Sequence, residues 1–302
     1  MMQTTSVSES LEQARLRRRR KTAVRNGVRL TLSHILLALG ALVMIFPLLW
    51  LVSSSFKLDN EIFSKDFSFI PRNITFDNFA KGWNANPQYS FLHFFTNTIV
   101  LVGGVVIGNV ISCSMTAFAI ARLRLPGKKL VFSIVILTLM LPGQVTLIPQ
   151  YILFSKLGWL STYWPFVVPA FLSTKSFFVY MLVQFMRGIP GELDESAKID
   201  GCSPFRIYTS IILPLSKASL CSVAIFSFIW TWNDFLSQLI YLNEVRTYTV
   251  SLILNSLVDA TSKSSWGSLM ALTLISILPS CILYFSMQKY FVEGIATSGL
   301  KG

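Results

Sequence analysis

Hydrophobic residues in this chain gather into long runs that are separated by shorter polar segments. Six runs are rich in Leu, Ile, Val and Phe, and each reaches the length of about 20 residues that a helix needs to cross the hydrocarbon core of a bilayer. They cover residues 33–55, 94–121, 130–150, 165–186, 215–241 and 267–288. The pattern predicts an all-α integral membrane protein with six transmembrane helices.

Composition supports this class. Hydrophobic residues make up 53% of the 302 residues and charged residues only 13%, whereas about 25% of a typical soluble domain is charged. A soluble protein of this length could not hide so much apolar surface, so lipid must solvate part of it. The first run is too long for a signal-peptide core and lacks a small-residue cleavage site, so we expect it to be retained as a helix.

The basic residues favour one side of the predicted membrane. With the N-terminus inside, the cytoplasmic segments hold 18 of the 26 Lys and Arg residues and the external segments hold 7, while Lys175 lies within the fourth run. Because cytoplasmic loops are enriched in positive charge, both termini are predicted to be cytoplasmic. The chain then divides into a basic tail, residues 1–30, and a transmembrane domain, residues 31–302. Nucleic-acid binding is the less favoured interpretation of the tail, since its charges immediately precede an apolar run.

Cysteine and histidine offer no further chemistry. Cys113, Cys202, Cys221 and Cys281 fall in apolar runs or in a loop predicted to be cytoplasmic, where structural disulfides are not expected. The two histidines lack the spacing of metal ligands. We therefore expect neither a disulfide nor a metal site.

The segment between the fourth and fifth runs has informative punctuation. Pro190 can open a helix, and the acidic residues after it complement the positive end of the helix dipole. Gly201 suits the left-handed residue that closes such a helix. Ser203 can cap a second helix that begins at Pro204, and Pro214 can start the fifth span. Two short helices on the cytoplasmic face are predicted.

One face of the first short helix is suited to a partner. Leu193, Ala197 and Gly201 follow one another at four-residue spacing, and small residues there would let another surface approach closely. Glu195 is available to meet a basic group of that partner. The alternative is a linker on the membrane surface whose acidic residues pair with Lys198. Anionic headgroups repel carboxylates, which favours a protein partner.

This segment resembles the EAA loop of ABC importer permeases, whose pattern is E-A-A, three residues, G, nine residues, I, one residue, L-P. The spacing is matched throughout, and Ser196 replaces the first Ala. The resemblance implies that the following positions couple the permease to an ATPase: Glu195, Ser196, Ala197, Asp200, Gly201, Ile211, Leu213 and Pro214.

Shorter motifs are similar to the maltose-type branch of carbohydrate-uptake permeases, and the likeness covers roughly residues 45–302. They are the motifs at 54–57 (SSFK), 121–129 (ARLRLPGKK), 141–144 (LPGQ), 232–235 (WNDF) and 290–294 (YFVEG). The resemblance implies a type I ABC importer permease fold in a bacterial or archaeal cytoplasmic membrane.

The same resemblance implies a set of partners. They are a second permease subunit, two copies of a cytoplasmic ATP-binding subunit and an extracellular solute-binding protein that delivers a carbohydrate, such as an oligosaccharide. Glu195 would pair with an ATPase arginine. This chain has no GxxxxGK[ST] phosphate loop, so ATP and Mg²⁺ are expected on the partner ATPase subunits and no cofactor on this chain. It is expected to be a transport subunit and not an enzyme.

Polar residues within the runs are candidates for the translocation path, because polar groups inside a membrane are costly and commonly functional. The candidates, with nearby tryptophans, are Asn97, Gln144, Gln150, Trp230, Trp232, Asn233 and Asp234. The alternative for these residues is an aromatic belt and helix packing. Lys175 is expected to lie shallow if Pro165 and Pro169 shorten the fourth span from outside.

Two other functions stay open at this stage. An ion-gradient-driven secondary transporter would need acidic residues near the membrane midplane and paired broken helices, whereas Asp234 is the only acidic residue within the six runs. An ABC importer for glycerol-phosphate or another polyol would share the motifs above.

Overall fold

The computed structural model describes the backbone of residues 2–64, 68–259 and 265–299, with side chains for residue 27 and residues 30–64, 68–258 and 265–288. The basic side chains of the predicted tail lie outside this set. Within the described residues all regular secondary structure is helical. The helices there are α1 (Met2–Ser55), α2 (Asp59–Ile62), α3 (Asp77–Trp83), α4 (Phe91–Arg122), α5 (Lys128–Leu139), α6 (Gly143–Lys156), α7 (Trp164–Phe171), α8 (Ser176–Arg187), α9 (Glu192–Ile199), α10 (Pro204–Ile207), α11 (Leu213–Leu215), α12 (Lys217–Trp232), α13 (Leu236–Tyr241), α14 (Val250–Asp259) and α15 (Trp266–Gly299), with a π-helical turn at Tyr208–Ile212 and a 3₁₀ turn at Val245–Thr247.

Four helical stretches of the described chain are long and apolar enough to cross a membrane without a sharp bend. They are Leu30–Ser55, Phe91–Arg122, Trp164–Arg187 and Trp266–Gln288. Two further stretches qualify only as bent pairs, Lys128–Leu139 with Gly143–Lys156 at 103° and Pro204–Leu215 with Lys217–Trp232 at 78°. The predicted all-helical membrane fold is confirmed, while the count of six spans and their orientation stay predictions.

The predicted apolar runs carry many exposed apolar side chains in the structure. Val43 and Met44 on α1 are 73% and 82% exposed, and Ile282 and Phe285 on α15 are 65% and 66% exposed. An apolar surface of this extent is stable only where hydrocarbon or another protein covers it.

Prolines and polar residues break the third and fifth predicted runs. The third run bends at Pro142, because proline disfavours helical geometry at the residue before it, Leu141. Pro142 itself is extended (φ −62°, ψ 130°) and α6 begins directly after it. The prediction of one continuous helix over 215–241 is wrong, since α12 ends at Trp232 and α13 starts at Leu236. Pro214 does not start the long helix either. It lies in the one-turn α11, and α12 begins at Lys217.

The fourth run is also broken, near its middle, between α7 and α8. Pro165 lies in the first turn of α7 and Pro169 within it, so the expected shortening from outside is absent. The helix is interrupted at residues 172–175, where Ser173 has a positive φ of 55°. The candidate span runs from Trp164 to Arg187, so Lys175 lies near the midpoint of that stretch.

Helix α4 lies at the centre of the bundle and contacts α7, α8 and α12. A Cβ atom on Gly108 would lie 2.8 Å from the Phe171 ring and 3.0 Å from Cβ of Ala170. One and two turns further along, Ser112 donates to the Ala170 carbonyl at 2.6 Å and the Thr116 and Ser173 hydroxyls lie 2.8 Å apart. Small residues at four-residue spacing thus bring α4 and α7 together, as is common in membrane helices.

On the predicted external side, the buried side-chain amide of Asn78 connects α3 to the end of α1. The Asn78 side chain donates to the carbonyls of Ser55 at 2.9 Å and Lys57 at 2.7 Å. Asp59 accepts from the backbone N–H of Gly267 at 2.7 Å. A side chain at Gly267 would collide with Asn78. These contacts join the ends of α1 and α15 through the α2–α3 segment.

Candidate functional site

The loop after α8 forms the two short helices that its capping residues predict. Helix α9 has acidic residues in its first turn and ends at Ile199, and Gly201, which follows the C-cap Asp200, has a φ of +78°. The N–H of Cys202 donates to the Ala197 carbonyl at 2.9 Å and the N–H of Gly201 donates to the Lys198 carbonyl at 3.0 Å, which together form a Schellman motif. Ser203 caps α10 by accepting from the N–H of Arg206 at 3.3 Å.

The two faces of α9 have different roles. Asp194 and Ala197 are buried, at 7% and 6% exposure, and Ala197 belongs to the chain's own inner core. In this conformation the Ala197 methyl group packs inward and presents no docking surface, while Gly201 and Leu193 lie outside that core. The coupling role of Ala197 stays a prediction. The outward face consists of Glu192, Leu193, Glu195, Ser196, Lys198, Ile199 and Asp200, all exposed.

The second half of the predicted coupling pattern packs against the same inner core. Ile211 and Leu213 are partly buried against it, and Ile212 between them is fully buried. Pro214 is exposed. Two exposed apolar side chains were not identified from the sequence, Ile199 at 87% and Phe205 at 68%. Large apolar groups exposed beside a polar surface are typical of interaction sites.

One stripe of α4 fixes this loop in place. Ser114 and Tyr208 share a hydrogen bond of 2.7 Å between their hydroxyls. One turn further along α4, the Phe118 ring packs against Tyr208 with 5.2 Å between centroids. One more turn brings Arg122 to Asp194, with 3.5 Å between Nε and Oδ2. The four-residue spacing puts all three α4 side chains on one face, so the loop is held to the transmembrane bundle at several points.

The Arg122–Asp194 pair is buried. The two side chains are 9% and 10% exposed, and Arg122 also donates to the Pro190 carbonyl at 3.4 Å. Removing one partner of such a pair leaves an uncompensated buried charge, which costs about 3–5 kcal/mol. The membrane-surface alternative requires Asp194 to pair with Lys198, whereas in the structure Asp194 pairs with Arg122. No pattern in the sequence indicates this contact, because Arg122 follows the second run and Asp194 precedes the fifth.

Several of the predicted path residues serve packing instead. Asn97 donates to the carbonyls of Arg246 and Tyr248, both at 2.9 Å. Trp232 is 6% exposed and its indole N–H donates to the Ser276 carbonyl at 3.2 Å, so it cannot line a path in this conformation. The packing alternative applies to these two residues.

The break after α12 is built on hydrogen bonds between polar side chains and the backbone. The half-buried Asp234 accepts from the N–H of Ser237 at 3.1 Å at the start of α13. Gln238 is fully buried and donates to the Thr231 carbonyl at 2.9 Å, while its carbonyl oxygen accepts from Ser251 at 2.8 Å. These bonds satisfy backbone groups that the helix end leaves free, which explains why the run does not continue as one helix. Asn233 is exposed and donates to a carbonyl one turn earlier.

The remaining candidates stay accessible. Gln144 and Gln150 lie on α6 beyond the bend and are exposed, and Gln150 accepts from the Tyr241 hydroxyl at 3.4 Å. Trp230 is 46% exposed and stacks on Phe178, with 5.2 Å between ring centroids and 16° between planes. Of the predicted tryptophans, Trp230 is thus the one that can meet a solute.

The family of this chain follows from comparison with known proteins. Residues 108–297 match the family described as the binding-protein-dependent transport system inner membrane component, which is more than half of the chain. This chain belongs to that family, the permeases of ABC importers. It is a multi-pass transport subunit of the cytoplasmic membrane and not an enzyme, and the resemblance seen in its loop is confirmed at this level.

Individual relatives agree with this assignment. The chain is 31% identical over 279 residues to the galactooligosaccharides transport system permease protein GanQ of Bacillus subtilis, covering 92% of this chain and 98% of GanQ. It is 30% identical over 269 residues to the sn-glycerol-3-phosphate transport system permease protein UgpE of Brucella melitensis, covering 87% and 95%. The fold matches a chain in the crystal structure of a bacterial ABC transporter involved in the import of the acidic polysaccharide alginate, with a TM-score of 0.78, 20% identity and coverage of 86% and 95%.

Proposed function

We propose that this chain forms half of the translocation path of an ATP-driven importer for a carbohydrate, and that the outward face of α9 docks onto a cytoplasmic ATPase subunit. The partners would be a second permease, two copies of the ATPase and an extracellular solute-binding protein. The names of relatives such as GanQ and UgpE support a sugar or a related polyol as the solute.

The observation that carries the docking proposal is the contrast between the two faces of α9. Its inner face is held to α4 by the buried Arg122–Asp194 pair, while Glu195 and Ser196 on its outer face are exposed. A handle that is fixed on one side and free on the other can transmit a displacement of its partner to the bundle, because packed helices move as rigid bodies.

Charge and apolar area make the outer face suitable for a protein. Glu195 and Asp200 supply carboxylates that can form charge-assisted hydrogen bonds with arginine, and Ile199 adds an apolar side chain that is 87% exposed. Closure of the ATPase dimer would then draw this loop toward the corresponding loop of the second permease, and the spans would open toward the outside. ATP and Mg²⁺ would be bound by the ATPase subunits.

The test reverses one charge on this face. In the Glu195→Lys variant the tagged permease should still insert into the membrane but should no longer co-purify with the ATPase, and ATP-driven uptake in proteoliposomes should be lost. Asp77→Lys is the matched control, since Asp77 is an exposed acidic residue at the start of α3, on the predicted external side and away from the docking face. It should retain uptake.

Normal uptake by the Glu195→Lys importer would refute the coupling role. Recovery of the wild-type chain as a self-sufficient homo-oligomer, with ion-driven transport and no ATPase, would refute the importer assembly as a whole.

A further inference from the structure

Lys175 is a charged side chain at the middle of a membrane span. It lies between α7 and α8 and is exposed. It lies near the midpoint of the Trp164–Arg187 stretch, which would have to cross a hydrocarbon core of about 30 Å. A lysine at this depth cannot reach either membrane surface as easily as one near a helix end.

Hydroxyl groups of neighbouring helices form hydrogen bonds at the break around Lys175. The Thr174 hydroxyl donates to the Pro169 carbonyl at 2.9 Å, Thr138 of α5 lies 2.6 Å from the Ser176 hydroxyl, and Thr116 of α4 bonds Ser173. The break is therefore a built feature that three helices support. Irregular backbone at membrane depth is tolerated where it is buried in protein or lines a water-filled cavity.

The ammonium group of Lys175, in contrast, has no counter-charge among the described side chains. The ion pairs of Arg122 with Asp194 and of Arg246 with Glu244 leave Lys175 out. Asp234, the only acidic residue within the predicted runs, accepts from the backbone at the start of α13. Since a cation that faces hydrocarbon is strongly disfavoured, intramembrane lysines face a cavity or a bundle interior and have a functional role by default.

An accessible aromatic surface follows Lys175 in the chain. Phe177 is 38% exposed and its ring centroid lies 5.4 Å from that of Trp230 on α12, which is 46% exposed. Binding sites for small solutes combine aromatic walls with a few placed polar groups. An aromatic pair can cover the apolar face of a sugar ring, and a lysine two residues before Phe177 can bind an anionic substituent of the same solute.

We infer that Lys175 is a binding residue in the translocation path and that it binds a carboxylate or phosphate group on the transported carbohydrate. The inference rests on the proposed function and narrows its substrate class to acidic or phosphorylated sugars and polyols. The two relatives named above do not decide whether the solute is charged, because GanQ is named for neutral galactooligosaccharides and UgpE for the anion sn-glycerol-3-phosphate.

The first experiment asks whether position 175 meets water. In a variant whose four native cysteines are replaced by serine, Lys175→Cys is assembled into the complete importer and treated with a membrane-impermeant thiol reagent. Lys156→Cys, at the end of α6, is the water-exposed control, and Met44→Cys, on the lipid-facing side of α1, is the apolar control. Labelling of positions 175 and 156 but not 44 is expected. An unreactive Lys175→Cys in both nucleotide-free and ATP-bound complexes would overturn the inference.

The second experiment asks what the lysine binds. Uptake by proteoliposomes with the full importer is compared for matched pairs, trigalacturonate with galactotriose and sn-glycerol 3-phosphate with glycerol. The wild type should transport an acidic member and not its neutral counterpart. Lys175→Met should lower that uptake about tenfold or more, as expected for loss of a hydrogen bond to a charged group, while Lys175→Arg and the control Lys156→Met should retain it.

The outcomes separate this inference from the proposed function. Transport of a neutral member that Lys175→Met leaves unchanged would overturn the anion site, with the importer intact. Loss of the second permease from purified Lys175→Met complexes would assign the lysine to a subunit contact and also overturn it. Failure of the wild type to transport any of the four probes would count against the proposed carbohydrate function itself.

Discussion

Charged side chains have opposite environments in two regions of the molecule, the loop between α8 and α12 and the middle of the fourth span. In the loop, Arg122 and Asp194 neutralise each other within the chain and are both buried. In the span, Lys175 is exposed and has no acidic partner among the described side chains. A buried pair of charges serves to position one element against another, whereas an unpaired charge in a membrane is retained for a ligand or a partner.

The largest effect is expected from breaking the buried pair. Arg122→Met leaves the Asp194 carboxylate buried without a counter-ion, and the free energy of unfolding should fall by about 3–5 kcal/mol. Thermal unfolding of the purified permease in detergent and its yield from membranes measure this loss. The double variant Arg122→Met with Asp194→Leu removes both charges and should recover most of the stability.

An exposed ion pair is the control for this comparison. Glu244 and Arg246 lie 3.6 Å apart on the predicted external side with both side chains largely exposed, so Glu244→Gln should cost less than about 1 kcal/mol. The contrast between the two regions fails if Arg122→Met is no more harmful than Glu244→Gln.

An intermediate effect is expected where α4 meets α7. Gly108→Ala places a methyl group within 2.8 Å of the Phe171 ring, and such overpacking costs about 1–3 kcal/mol. Gly103→Ala on the same helix meets nothing within 4 Å and should be neutral or stabilising by up to about 1 kcal/mol. Because the contact flanks the break before Lys175, Gly108→Ala should reduce uptake while ATPase capture through the loop is retained. Equal effects of the two alanines on thermal stability would contradict this packing.

The smallest effect separates the two tryptophans of α12. Trp232→Phe removes the hydrogen bond to the Ser276 carbonyl, and such bonds are worth about 0.6 kcal/mol between membrane helices. Trp230 donates no recorded hydrogen bond from its indole among the described residues, so Trp230→Phe should lower thermal stability less. Paired melting curves in detergent would measure the difference, and a larger loss with Trp230→Phe would reverse the assigned roles.

The loop could be predicted from sequence because its signals are local. Gly201 closes α9 and Ser203 caps α10, since both depend on backbone geometry within a few residues. The inward packing of Ala197 could not be predicted in the same way. Four-residue spacing shows which residues share a face but not whether that face meets a partner or the chain's own core.

The roles of the candidate translocation-path residues could not be predicted either, because the sequence does not show which partner each side chain meets. Asn97, Trp232 and Asp234 are polar or amphipathic residues in apolar runs, and each forms hydrogen bonds with distant or neighbouring backbone. Their residue types indicate only that some partner is needed. Hydropathy also could not detect the break after Trp232, since residues 236–241 are nearly as apolar as α12.

By itself the sequence determined the membrane class, the helical content, the importer-permease family and the caps of the loop helices. These follow from composition, run length and local backbone preferences, which act along the chain. Only the tertiary structure decided that Arg122 reaches Asp194, that Ala197 faces inward and that the fourth span breaks midway at Lys175. Those outcomes depend on which helices approach one another, and the energies that select such contacts arise between residues far apart in sequence.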